Sequence, residues 1–118
     1  MKISREKAMQ IWYRNYGCAL YAEDFDGNLM YREAYGDEGY FIYEKRKRIY
    51  CGWNIHHILP LARGGSDTME NMTCTNILTN REAADKITFW IDGSLYQVQK
   101  TTVAGKYEIV RLFQRRNE

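Results

Sequence analysis

The spacing of apolar and polar positions changes several times along the chain, and each change marks a predicted element. Ser4 precedes Glu6-Lys7-Ala8-Met9-Gln10-Ile11-Trp12-Tyr13. A hydroxyl ahead of good helix formers caps the first free N–H groups, so a helix is predicted from Ser4 to a stop near Gly17. Next, Ala19-Leu20-Tyr21-Ala22 and Leu29-Met30-Tyr31 flank Asp24-Phe25-Asp26-Gly27-Asn28. Asp-Gly between two short apolar runs predicts a hairpin. Asp24, Asp26, Gly27 and Glu33 also fall at calcium-loop spacing, but Ala22 would occupy the first ligand position and no flanking helix pair is predicted, so the hairpin is preferred.

Near the C-terminus the alternation is that of strands. Ile87-Thr88-Phe89-Trp90-Ile91, a turn at Asp92-Gly93-Ser94, and Leu95-Tyr96-Gln97-Val98 form one strand–turn–strand unit. A further strand, Tyr107 to Phe113, follows a turn at Ala104-Gly105, and Arg115-Arg116 is expected to be a short mobile tail. Between the two ends, Glu44-Lys45-Arg46-Lys47-Arg48 is a charged run flanked by Tyr40-Phe41-Ile42-Tyr43 and Ile49-Tyr50. Two readings stay open there: a solvated loop, or an edge where basic groups interleaved with aromatics contact phosphates.

Length and charge narrow the function classes. At 118 residues one domain, spanning 1–118, is expected. No run of 18 apolar residues suggests a membrane span, and Met-Lys-Ile-Ser-Arg-Glu-Lys lacks the apolar stretch of a signal peptide, so a cytoplasmic location is expected. Cys18, Cys51 and Cys74 are odd in number and widely spaced, which suits reduced thiols and not a disulfide framework. The net charge of +2 hides an uneven distribution. Residues 20–44 hold one basic and seven acidic groups, whereas 45–118 hold twelve basic and seven acidic groups. A polyanion is therefore attracted to the C-terminal two thirds and repelled by the acidic stretch.

The chemistry is concentrated between residues 53 and 86. Trp53-Asn54-Ile55-His56-His57-Ile58-Leu59-Pro60 leads into Gly64-Gly65, then Asn71, then Thr79-Asn80-Arg81, with both histidines of the chain side by side. Hydrolysis of a phosphodiester needs a base for the attacking water, a cation to offset phosphate charge, and a group that fixes the base's tautomer. Two His and two Asn supply these on a predicted frame of strand, Gly-Gly loop, second strand over Met72-Thr73-Cys74-Thr75, and a helix capped by Asn76 or Thr75 that runs through Lys86.

In order and spacing these residues resemble the HNH (His-Asn-His) endonucleases. The resemblance implies an α+β fold: a ββα-metal core over 53–86, here with an N-terminal helix, an N-terminal β-hairpin and C-terminal antiparallel strands added. It implies that His57 is the general base and that Asn71 orients it. It implies that His56 and Asn80 hold one divalent ion, and that Trp53, Ile55, Ile58 and Pro60 brace the first strand. Arg63, Arg81, Lys86, Lys45, Arg46, Lys47 and Arg48 are the candidate nucleic-acid contacts.

Three departures from the common pattern modify these expectations. Cys51 and Cys74 are single where many members carry two CxxC pairs, with Asn76 and Thr79 at the second pair's place, so no structural zinc is expected. His replaces the more usual Asp at the first ligand position, which shifts preference from Mg toward Mn, Co, Ni or Zn. Ala83 stands where a Lys is common, and Lys86 is expected one turn later on the same helical face. A further His seen in colicin-type sites is replaced by Ala84, leaving two protein ligands.

The function implied is divalent-metal-dependent hydrolysis of DNA, with nicking or weak sequence preference. Double-stranded DNA is the first substrate, RNA the second, and a homodimer is the route to cutting both strands. The competing reading is a non-catalytic binding or inhibitor protein on the same fold in a phage–host system, with the acidic stretch from Glu23 to Glu44 facing a basic partner. A third makes His56 and His57, with Cys51 or Cys74, a structural zinc site.

Overall fold

The computed structural model describes residues 3–115, and Arg116 of the expected tail lies outside them. Among the described residues, two α-helices and nine strands form an α+β arrangement of several small antiparallel sheets. Their contacts gather in two units. The first takes the chain up to His56 together with Thr73–Asn80; the second takes His57–Met72 and the chain from Arg81 onward. The chain therefore passes from one unit to the other three times. No helix among the described residues is long and apolar enough to cross a membrane.

In the first unit, α1 spans Arg5–Tyr16. Ser4 Oγ accepts the Lys7 N–H at 3.2 Å, and Gly17 ends the helix by donating its N–H to Tyr13 O. Ala8, Ile11 and Trp12 are buried on one side of it. Trp12 stacks against Trp53 at 4.9 Å between ring centroids and donates its indole N–H to Ala19 O. Trp53 is likewise buried, with its N–H on Tyr31 O at 2.8 Å.

β1 (Tyr21–Glu23) and β2 (Leu29–Tyr31) form the expected hairpin. Its loop is closed by one carboxylate: Asp24 Oδ1 accepts the N–H groups of Asp26 and Asn28, and Oδ2 accepts that of Asn76. The acidic spacing that resembled a calcium loop is thus used, at Asp24, to bind backbone. β3 (Phe41–Glu44) and β4 (Lys47–Tyr50) form a second antiparallel hairpin across the charged run, with Glu44 opposite Lys47. The two-residue turn is Lys45-Arg46, at φ 50° and 68°. A turn of this hand normally takes Asn-Gly, and left-handed backbone costs a side-chain-bearing residue roughly 1 kcal/mol.

β5 (Trp53–His57) pairs with β6 (Met72–Asn76), which runs directly into α2 (Ile77–Ala83). Asn76 caps this helix, its Oδ1 accepting the Leu78 N–H at 2.9 Å. The helix stops earlier than the sequence implied. Ala84 turns into left-handed conformation at φ 47°, and the Lys86 N–H closes a turn on Ala83 O. Lys86 consequently lies beyond the helix, and its expected place on the face of Ala83 is corrected.

The second unit contains β7 (Thr88–Ile91), β8 (Ser94–Lys100) and β9 (Tyr107–Gln114) in a three-stranded antiparallel sheet. Asp92-Gly93 makes the tight turn between the first two, both residues at positive φ as that turn demands. Phe89, Ile91, Tyr96 and Val98 are its buried apolar residues.

Thr75, fully buried in β6, carries the one buried side-chain oxygen without a hydrogen-bond partner among the described residues. A buried hydroxyl with no partner costs about 1–3 kcal/mol. Thr75→Val is expected to raise unfolding stability by about 1 kcal/mol in urea titration; a loss of stability would show that the hydroxyl is used.

Candidate functional site

Each of the two histidines has its own oxygen partner. His56, at the end of the first unit's part of β5, is buried at 5% exposure. Its Nδ1 lies 2.8 Å from Asn80 Oδ1, on α2. The cap at Asn76 starts that helix and so fixes where Asn80 comes, one turn along. An amide oxygen only accepts, so in this state Nδ1 carries the proton and Nε2 the lone pair.

The donor set can be tested against a cation. Bonds of ~2.1 Å at a right angle put two donors ~3.0 Å apart, close to the observed 2.8 Å. That separation is equally an ordinary N–H···O hydrogen bond, so His56 and Asn80 are the residues that would hold a cation if the Nδ1 proton were displaced. The remaining positions would fall to water or phosphate oxygens, since no three His, Cys, Asp or Glu side chains are grouped as a metal site among the described residues.

In the second unit, His57 is half-buried and its Nε2 meets Asp67 Oδ1 at 2.9 Å. The carboxylate can accept from Nε2–H, and in the neutral ring this places the lone pair on Nδ1, the arrangement a general base needs. The sequence reading missed Asp67. Its only signal was a carboxylate in the loop that follows the Gly-Gly pair.

Asn71 makes its side-chain bonds to backbone groups and not to the His57 ring. Its Oδ1 accepts the Leu59 N–H at 2.9 Å, and its Nδ2 donates to Leu59 O and Ser66 O. One buried amide therefore clamps both ends of the loop from Leu59 to Ser66, while the bond to the His57 ring comes from Asp67. The two glycines allow this closure. Gly64 sits at φ 92°, and a Cβ on Gly65 would lie 1.8 Å from Leu59 O. The same loop reaches the Asp67 segment, so the clamp acts on His57 indirectly.

The basic residues divide between the units. Arg63 is exposed in the clamped loop and donates to Asp85 O at 3.3 Å; Arg81, on α2, and Lys86, past its end, are exposed too. Lys45, Arg46, Lys47 and Arg48 belong to the first unit, on the hairpin of β3 and β4. The cysteines are not reactive in the same degree. Cys18 is exposed; Cys51 is buried and donates to Ile49 O. Burial pushes the Cys74 thiol up to about 12 and raises Cys51 as well.

Two expectations follow. Asn71→Ala leaves the Leu59 N–H and two carbonyls without their partner and should destabilise the protein by about 2–4 kcal/mol, measured by urea unfolding; a loss under 0.5 kcal/mol would refute the clamp. A raised pKa keeps a thiol neutral until pH approaches the raised value, so at pH 8 the two buried cysteines stay protonated. One thiol of three should then react rapidly with a disulfide reagent in the native protein and three after unfolding. The chain matches no protein-family model, and no curated protein and no solved structure matches it.

Proposed function

We propose that this chain is a divalent-metal-dependent endonuclease of the HNH type that hydrolyses phosphodiester bonds in DNA, with the strand–strand–helix run from Trp53 to Ala83 as its ββα-metal core. The observation that carries the reading is that consecutive histidines have unlike oxygen partners. His57 has an anionic partner on Nε2, which suits a base working through Nδ1, and His56 has the neutral amide oxygen of Asn80 on Nδ1.

In this reading His57 Nδ1 takes the proton of the attacking water while Asp67 holds Nε2–H and stabilises the imidazolium that forms. His56 and Asn80 would hold the cation, which supplies charge compensation on the phosphate and the leaving oxygen. Asn71 keeps the loop between the two strands closed, so that Asp67 is presented to His57. Arg63 and Arg81 are the candidate phosphate contacts of this reading.

Supercoiled plasmid incubated with the protein and Mg, Mn, Co, Ni or Zn should be nicked, with Mn or Ni at least as effective as Mg. His57→Ala should lose roughly 10²–10⁴-fold in rate. Asp67→Asn should lose less, because an amide can still hold the His57 ring but brings no charge to stabilise the imidazolium. His56→Ala and Asn80→Ala should raise the metal concentration needed for half-maximal rate. Absence of nicking with every metal, or full activity in His57→Ala, would reject the reading and leave the binding-protein alternative.

A further inference from the structure

The hairpin of β3 and β4 has two unlike faces. Its register puts Phe41 opposite Tyr50 and Tyr43 opposite Arg48, so these four side chains share one face. The other face carries Ile42, Glu44, Lys47 and Ile49. On that second side the root of the hairpin is anchored in the first unit, where Tyr40 stacks on Tyr31 at 4.8 Å and Tyr31 on Tyr21 at 4.9 Å.

The first face is open. Tyr43 is 66% exposed and Tyr50 39%. The rings are nevertheless ordered against each other: Phe41 meets Tyr43 edge-on at 5.3 Å and Tyr50 at 5.6 Å. The Arg48 guanidinium lies 4.9 Å over the Phe41 ring. At the tip, Lys45 and Arg46 occupy left-handed backbone that Asn-Gly would adopt without strain. The turn keeps two long cations where folding alone favours other residues, which points to a use for the charge.

We propose that this ribbon binds single-stranded nucleic acid, with bases stacked on Phe41, Tyr43 and Tyr50 and phosphates on Lys45, Arg46 and Arg48. Charge identifies the polyanion, and exposed rings identify the strand type. A duplex hides its base faces in its own stack, whereas an unpaired strand presents them. Same-face residues along a strand are ~6.7 Å apart, so the platform has room for roughly two bases. The inference deepens the nuclease reading by naming the strand handled, but it concerns binding and stands or falls without cleavage.

The test is fluorescence anisotropy in EDTA with labelled 12-nucleotide dT, 12-nucleotide rU and a 12-base-pair duplex. The full chain is compared with Tyr43→Ala and with a Lys45→Asn/Arg46→Gly double variant. Single strands should bind more tightly than the duplex. Tyr43→Ala should weaken single-strand binding by about 5–100-fold and duplex binding little. The double variant should be at least as stable as the parent yet bind more weakly, with the salt slope reduced by about 1–2. The two single-strand probes tell DNA from RNA, and tighter binding of either supports the proposal. Equal or tighter duplex binding, or an unchanged dissociation constant in Tyr43→Ala, overturns it. Anisotropy in EDTA reads binding without cleavage, so a failed nuclease reading and a failed ribbon are told apart.

Discussion

Asp24 and Asn76 together set the geometry of the first unit. The Asp24 carboxylate collects three backbone N–H groups, two from its own loop and one from Asn76. The Asn76 amide in turn donates to Leu29 O and Tyr50 O and accepts from Leu78. Six hydrogen bonds thus join the first hairpin, the end of the second hairpin and the start of α2 through two short side chains. Both residues are buried, where an unmet donor is costly and the network gains from low dielectric. Asn80, four residues after Asn76 on the helix, inherits its place from this junction.

Local chemistry made part of the fold legible. The N-terminal helix showed in Ser4 and Gly17, because a cap and a stop act within one turn. The C-terminal hairpin showed in Asp92-Gly93, because those residues suit the positive φ of the turn. Two turns were not legible. Lys45-Arg46 turns tightly although neither residue favours left-handed backbone, and Ala84 ends α2 without a glycine. In neither place do the residues themselves prescribe the turn.

The candidate site divides in the same way. The types and order of His56, His57, Asn71 and Asn80 were readable, and the structure brings His56 and Asn80 within hydrogen-bond distance. What each side chain touches was not readable. Asn71 turned out to serve the backbone of a loop, and the partner of His57 is Asp67, ten positions away on a segment with no periodicity. An amide and a carboxylate are equally plausible neighbours of an imidazole until a loop closes, and that closure depends on Gly65 passing under the Leu59 carbonyl.

The threefold crossing between the units bears on how such a chain could have been assembled and how it can be rebuilt. The first unit needs residues on both sides of the segment from His57 to Met72, and the second is interrupted by Thr73–Asn80. Neither unit corresponds to a continuous stretch of gene. A cut anywhere between His56 and Arg81 would divide at least one of the units.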